Sequence, residues 1–438
     1  MKLVLTLLTS VLAPLVVCKV EQKVRDDILH ATSYAEAYRK YTDAFQDKDA
    51  SFLSGALHLS PQQQKDLQEK EKRKQQRFIK NLRQCNKHNK NYEEGISGYA
   101  QTVNMFTTLD DEEKKMYTGF IAKNVSESAS GLGRSRRQSS RLLGSSLPRS
   151  VNWVKKGYVT KIKNQENCGA CWAFGAMVPL EYAYKKITGN LISLSEQELL
   201  DCTPEGWGGP SDGCVGSWPH NAYKFVMDKQ SVPTMRSHPY RNKDLPCRYK
   251  QHESAIARKF KLTGYHDAKS VQSAMSALAK HGPLVNACFT GNDFFAYNKG
   301  IYDGCHNRQR SNHAVAMVGY DEQSWLIRNS WGDEWGLDGY MKMKRRNVCN
   351  ILDYSLYITF EKVKGYVPKK DKYDESPPPP RCEDKGKESE DMHCAYWKTL
   401  GHCETKRDYM AKYCADTCEL CDEELSSKVK RPRRGRRT

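Results

Sequence analysis

The spacing of apolar residues changes along the chain, from helical near the N-terminus to strand-like in the second half. A stripe of aromatic residues at spacings of four, three and four predicts one face of a helix: Tyr34, Tyr38, Tyr41 and Phe45. Ser60-Pro61 combines a capping residue with a first-turn proline, which predicts a long helix from about Gln62 to Lys90. Residues 314–318 form an apolar, β-branched run that predicts a buried strand.

The N-terminus has the pattern of a secretory signal. Met1-Lys2 precedes an apolar run of about 15 residues, too short to span a bilayer, and cleavage after Cys18 is expected. A protein made this way is secreted or lysosomal and forms disulfides. The net charge of +18 would suit a nucleic-acid partner. However, the basic residues are scattered or gathered at the C-terminus, so we expect neither a nucleic-acid partner nor a membrane span.

Residues 121–146 are dominated by Ser, Gly and Arg and cannot bury enough apolar surface to fold, which predicts a disordered linker. The linker contains a glycosylation sequon at Asn124. Arg134-Ser135-Arg136-Arg137 resembles a proprotein-convertase site and is a suitable place for a maturation cut. Whether the cut is made by a convertase or by the chain itself stays open.

A proline-rich linker at 365–381 precedes six cysteines within 40 residues: Cys382, Cys394, Cys403, Cys414, Cys418 and Cys421. Such density predicts a disulfide scaffold, with a zinc site as the competing interpretation. The last residues, 422–438, are almost entirely basic. They are either a solvated tail that is trimmed or a segment that holds an anionic partner.

Three separate stretches carry candidate chemistry. Cys171 follows a glycine and a small residue and precedes a run of helix formers, which predicts that it lies in the first turn of a helix. The N-terminus of a helix lowers the pKa of a thiol. Gln165 supplies an amide that can point at a developing oxyanion. His313 begins the predicted buried strand, and Asn329 lies between two tryptophans. Taken singly, each has a structural alternative: Cys168 and Cys171 as half-cystines or half of a zinc site, His313 as a core histidine, and Asn329 as a turn residue.

Together the stretches resemble the papain family of cysteine peptidases, in the order Cys, His, Asn. His313 and Asn329 follow Cys171 by 142 (313 − 171) and 158 (329 − 171) residues, close to the family's separations. The resemblance implies that Cys171 is the nucleophile, paired as a thiolate with imidazolium His313. It implies that Asn329 orients the imidazole, that Trp331 shields this bond, and that Gln165 helps form the oxyanion hole.

The implied fold class is α+β: a papain-like peptidase at 147–364, with a helical domain and a β-barrel domain on either side of the cleft. Residues 19–120 resemble the family's inhibitory prosegment, with Phe78, Asn81, Cys85 and Asn89 at its motif positions. The six cysteines at 382–421 resemble the ShK-toxin-like module. Asp408-Tyr409 replaces the Lys-Tyr pair of channel blockers, so a binding accessory is expected.

The resemblance also implies the substrate cleft and the disulfides. Gly216 and Ser217 would pair with substrate backbone, beside Trp331. A pocket would select a hydrophobic residue two positions before the scissile bond, lined by Trp218, Pro219, Ala287, Ala314 and Tyr354. The implied disulfides are Cys168–Cys214, Cys202–Cys247, Cys305–Cys349, Cys382–Cys421, Cys394–Cys414 and Cys403–Cys418. Cys171 stays free, and Cys85 and Cys288 would be buried thiols.

The predicted function is a monomeric cysteine endopeptidase made as a zymogen, with no cofactor and no metal. Its expected partners are protein or peptide substrates, its own prosegment, and an unidentified ligand of the C-terminal module. The alternative is a catalytically weak or inactive papain-like scaffold that presents the binding module.

Overall fold

The computed structural model describes residues 22–45, 60–121, 147–204, 213–247, 255–256, 259–305, 309–369 and 374. The predicted signal at 1–18, the sequon at Asn124, the linker cleavage site, the six-cysteine module and the basic tail lie outside these ranges. The chain divides into two compact units, Met1–Asp374 and Glu375–Thr438. In the described ranges, no helix is both long enough and apolar enough to cross a membrane.

The N-terminal region is helical, as its aromatic stripe predicts. Its elements are α1 (Gln22–Leu29), α2 (Tyr34–Ala44), α3 (Pro61–Glu93), β1 (Tyr99–Gln101) and α4 (Asp111–Lys115). Ser60 caps α3 through a reciprocal capping box with Gln63, so the helix begins one residue before the predicted start. The Phe78 ring packs 5.2 Å from Tyr38 and 4.9 Å from Tyr41, between centroids. This region therefore has a core of its own.

The first half of the peptidase is built on three helices: α5 (Cys171–Thr188), α6 (Glu196–Cys202) and α7 (Pro219–Lys229). Almost every residue of α5 is buried, consistent with a helix that is apolar all round. Its N-terminus therefore has a fixed position against the rest of the molecule.

The second half contributes most of the strands of a nine-stranded sheet among the described residues, with the order β1-β5-β8-β7-β6-β4-β9-β3 and β2 paired to β6. Its strands are β2 (Val151–Asn152), β3 (Phe260–Asp267), β4 (Leu284–Cys288), β5 (Tyr297–Tyr302), β6 (His313–Tyr320), β7 (Ser324–Arg328), β8 (Tyr340–Lys344) and β9 (Tyr354–Lys362). Helices α8 (Val271–His281) and α9 (Asn292–Phe295) and a short 3₁₀ turn (Val348–Asn350) complete it. Strand β6 is buried along its whole length and starts at His313, as predicted.

The N-terminal region and the peptidase share this sheet. Strand β1 pairs antiparallel with β5, which places Tyr99 opposite Gly300. The combination of a helical half, a sheet-rich half and a helical region docked on the sheet gives the mixed α+β fold predicted from the sequence.

Candidate active site

Cys171 is the first residue of α5 and is completely buried. The helix has no side-chain cap, so its first N–H groups are available to the residues around the sulfur. The backbone N–H of Ala314, at the second position of β6, donates to Cys171 Sγ at 3.3 Å. The thiol thus bridges the helical half and the sheet half of the peptidase.

His313 and Asn329 form the second element of the site. His313 Nε2 lies 2.8 Å from Asn329 Oδ1, which also accepts a bond from the Ser330 backbone N–H at 2.8 Å. The Trp331 ring stacks on the imidazole, 4.6 Å away between centroids, and is completely buried. His313 Nδ1 has no hydrogen-bond partner among the described residues. Asn329 thus fixes one ring nitrogen, while the other is available for chemistry.

Burial controls the charge state of this pair. Desolvation raises the pKa of Cys171 to about 12, although several backbone N–H groups oppose the shift. Desolvation also lowers the pKa of His313 to about 4, against the effect of the Asn329 bond. While the cleft is covered, burial therefore favours the uncharged forms of both the thiol and the imidazole. The thiolate–imidazolium pair implied by the resemblance concerns the open, substrate-accessible site, and for that form it stays a prediction.

Gln165 is buried beside the thiol-bearing turn. Its Nε2 donates to the Cys168 carbonyl at 2.8 Å and to the Tyr117 carbonyl at 3.2 Å. Its Oε1 accepts a bond from Ser330 Oγ at 2.5 Å. The amide is therefore fixed in orientation. One of its N–H bonds points into the cleft, where it donates to the Tyr117 carbonyl of the N-terminal region.

The residues that fill the cleft belong to the N-terminal region. The N–H groups of Gly119 and Phe120 both donate to the Asn312 carbonyl, at 3.1 and 3.0 Å. The Gly119 carbonyl accepts from the Ser217 N–H at 2.9 Å, within a parallel bridge between Phe120 and Ser217. The Trp218 indole donates to the Ile121 carbonyl. These bonds close the cleft over Cys171.

The pocket predicted from the sequence is occupied by Phe120. The Phe120 ring meets Tyr354 edge-on at 5.0 Å between centroids. Phe120 and Tyr354 pack in one apolar cluster with Trp218, Ala287, Ala314 and Cys171. Of the remaining predicted lining, Pro219 is buried as the first residue of α7. Gly216 lies against the Gly119 carbonyl, at a φ of 134° where a Cβ would collide with it.

Three disulfides pair as the resemblance implies: Cys168–Cys214, Cys202–Cys247 and Cys305–Cys349. The free cysteines in the described ranges are Cys85, Cys171 and Cys288, all buried. Within the same ranges, no group of three or more His, Cys, Asp or Glu side chains is arranged to hold a metal ion.

Sequence reasoning missed three residues of the site. Ser330, which fixes Gln165, follows Asn329 directly and carries no signal beyond that position. The Asn312 carbonyl accepts from the N–H groups of Gly119 and Phe120. Because Asn312 acts through its backbone, its side chain gives no signal in the sequence. His220, which touches Tyr354 behind the pocket, follows the predicted Trp218-Pro219 pair and could have been found there.

A nucleophile on a helix end, an imidazole fixed by an amide and a cleft closed by the chain's own N-terminal region define a cysteine peptidase zymogen. Residues 147–359 match the model of the papain family of cysteine proteases, and residues 381–421 match the ShK domain-like model. The chain belongs to the papain family of cysteine proteases, and it is a cysteine endopeptidase.

Individual relatives agree with this assignment. Human cathepsin L2 is 34% identical over 292 residues, which cover 64% of this chain and 83% of cathepsin L2. Rat procathepsin L is 33% identical over 296 residues, covering 64% of this chain and 83% of its own. The structure of digestive procathepsin L2 from Tenebrio molitor superposes with a TM-score of 0.62 at 29% identity, covering 75% of this chain and 100% of that chain.

Proposed function

We propose that this chain is the zymogen of a secreted or lysosomal endopeptidase that prefers a hydrophobic residue two positions before the scissile bond. The observation that carries the proposal is the junction at Cys171. There the helix-borne thiol, the His313–Asn329 pair and a pocket filled by Phe120 meet within one apolar cluster and its neighbours. Gly119 and Phe120 reach this junction from the N-terminal region, so the same segment closes both the nucleophile and the pocket.

The reaction follows from the two nitrogens of His313. When the cleft opens and water returns, Cys171 transfers its proton to Nδ1, the nitrogen that Asn329 leaves available. The sulfur attacks the substrate carbonyl carbon, a C–S bond forms, and the oxyanion is held by Gln165 Nε2 and the Cys171 N–H. His313 then gives its proton to the leaving amine as the C–N bond breaks. Water, deprotonated by His313, attacks the thioester and releases the acid product and the thiol.

The contacts of Tyr117 support the role of Gln165. The Tyr117 carbonyl accepts bonds from Gln165 Nε2 at 3.2 Å and from the Trp331 indole at 2.9 Å. A peptide carbonyl lying in the cleft therefore finds these donors without any movement of their side chains. Preorganised donors of this kind are typically worth about 10²- to 10³-fold in kcat.

The specificity of the pocket rests on its walls. Trp218, Ala287 and Ala314 present apolar surface to Phe120, and Tyr354 faces it edge-on. A peptide library with varied residues two positions before the scissile bond should show preference for Phe and Leu, and loss of all cleavage in Cys171→Ala. Strong preference for Arg would contradict the pocket assignment. Absence of cleavage by the enzyme after removal of the prosegment would favour the inactive scaffold instead.

The remaining parts of the proposal concern the chain's organisation. We propose a signal at 1–18, a prosegment at 19–120, an activation linker at 121–146 that is glycosylated at Asn124, and the peptidase at 147–364. The segment 365–381 would link it to a ShK-like module at 382–421 and a basic tail at 422–438. Mass spectrometry of the secreted, activated protein tests these boundaries, because each predicted cut leaves a defined terminus.

A further inference from the structure

The floor of the substrate pocket is held in place from behind by a histidine. Tyr354 meets Phe120 with its ring, and its hydroxyl lies at the N-terminus of α7. There it accepts a bond from the His220 backbone N–H at 3.0 Å, and it lies 2.9 Å from His220 Nδ1. A single residue thus makes both contacts that fix the hydroxyl.

The two contacts impose a protonation requirement. A phenol hydroxyl has one proton to donate and oxygen lone pairs to accept with. One lone pair takes the His220 backbone N–H, so the hydroxyl proton is free to go to Nδ1. That bond forms only while the imidazole is neutral with its proton on Nε2. Burial keeps the pKa of Tyr354 far above its ordinary value, so the hydroxyl cannot adapt by ionising.

A second proton on the imidazole reverses the role of Nδ1. Nδ1 then becomes a donor. The backbone N–H and Nδ1–H of His220 both point at the Tyr354 hydroxyl oxygen, and the hydroxyl proton no longer has an acceptor. An unpaired hydroxyl proton in a desolvated site is unfavourable, so the Tyr354 side chain must move to relieve it. Movement of this side chain changes the floor of the pocket, because the same ring makes the edge-on contact to Phe120.

Besides Tyr354 on β9, the groups described around His220 come from strand β3 and helix α7. Strand β3 contributes Tyr265, whose ring lies 6.0 Å from the imidazole, and Asp267, which pairs with Lys269 at 3.1 Å. Helix α7 contributes Tyr223, and burial raises the pKa of this tyrosine well above its ordinary value. Trp218 directly precedes the helix, and its ring lies beside the imidazole. These tyrosines keep their protons over the pH range concerned. Of the side chains named here, histidine is the residue type that ordinarily changes charge between pH 5 and pH 8.

We propose that His220 is a positioning residue for the substrate pocket, and that its protonation lowers the selectivity for an aromatic residue two positions before the scissile bond. The inference rests on the proposed function, since it assumes that substrates occupy the Phe120 pocket. At neutral pH the fixed Tyr354 ring favours an aromatic side chain through the edge-on contact. At acidic pH the released ring favours it less.

The test uses enzyme activated from the full-length chain and two fluorogenic peptides that differ only in Phe or Val at this position. The ratio of their kcat/KM values cancels the shared titration of Cys171 and His313. An aromatic edge contact corresponds to about a twofold to tenfold preference, so the Phe/Val ratio should fall by that factor from pH 7 to pH 5. The change should lie in KM, because the reacting groups are untouched.

Two variants and one control sharpen the result. His220→Asn removes the titrating ring and should give a ratio that no longer depends on pH. Tyr354→Phe removes the hydroxyl and should do the same, whether or not the first variant folds. His266→Asn, at an exposed histidine on β3, should keep the pH dependence of the native enzyme.

The outcomes separate the two proposals. A Phe/Val ratio that is equal at pH 7 and pH 5, or that still falls in both His220→Asn and Tyr354→Phe, would overturn the inference. The proposed function would then stand, because both peptides are still cleaved. A chain that cleaves neither peptide would overturn the proposed function and this inference with it.

Discussion

The N-terminal region covers the peptidase with two parts that bind in different ways. The prosegment body, described at residues 22–45 and 60–115, adds specific side-chain contacts to the backbone pairing of β1 with β5. Asn104 Nδ2 donates to the Phe295 carbonyl at 2.7 Å, and Arg25 meets Glu334 at 3.0 Å. The cleft strand, residues 117–121, binds mainly through its backbone, with Gly119 and Phe120 bonded to the carbonyl of Asn312. The body therefore makes contacts that are specific to this peptidase, whereas the cleft strand makes backbone contacts that many peptides could make.

The difference assigns separate tasks to the two parts. Backbone bonds in the cleft are the same kind that a substrate would form, so the cleft strand alone would compete poorly with substrate. The body supplies the additional affinity and holds the strand at a high effective concentration over Cys171. Loss of the body should therefore cost more than a defect in the strand, and both should cost more than loss of one ion pair.

The largest effect is expected from Phe78→Ala. This ring is completely buried between Tyr38 and Tyr41, and removing a buried phenylalanine side chain typically costs about 3–5 kcal/mol. The body should lose its fold, and Cys171 in the intact zymogen should react with a thiol-directed epoxide more than about a hundredfold faster. Phe78→Leu is the control and should stay close to the native rate. An unchanged rate in Phe78→Ala would show that the strand covers the cleft unaided.

An intermediate effect is expected from Gly119→Ala. A Cβ at this position would lie 1.8 Å from the Gly169 carbonyl oxygen, so the cleft strand must lift away. Overpacking against backbone costs about 1–3 kcal/mol, which corresponds to epoxide labelling about fivefold to 150-fold faster. Met116→Ala, at a largely exposed side chain just before the strand, should leave the rate unchanged. If both variants behaved alike, close backbone approach at Gly119 would not be what seals the cleft.

The smallest effect is expected from Glu334→Gln. Arg25 is nearly inaccessible to solvent, and burial lowers its pKa, so losing its carboxylate partner leaves a poorly solvated cation. Glu334 is partly exposed, which puts the effect at the lower end of the range for a charged hydrogen bond, about tenfold in labelling rate. Glu322→Gln, at an exposed carboxylate after β6, is the control.

The sequence predicts these regions unequally. Local patterns or motifs are enough to predict long periodic segments such as α3, and also the stretches around Cys171, His313 and Asn329. The charge state of Cys171 and His313 cannot be predicted from the sequence, because it depends on burial by the cleft strand, which is distant from both residues along the chain. The same holds for Phe120 in the pocket and for His220 behind Tyr354, because both contacts join residues more than 95 positions apart.

The central claim is that Cys171 is a nucleophile silenced by the segment that covers it. The direct measurement is mass-spectrometric mapping of a thiol-directed epoxide on the zymogen before and after removal of the prosegment. Burial raises the pKa of Cys171 to about 12 in the covered form, so the intact zymogen should react slowly. The activated enzyme should carry one label, on Cys171, with complete loss of peptide hydrolysis. Equal labelling of both forms, or full activity in Cys171→Ala, would contradict the account.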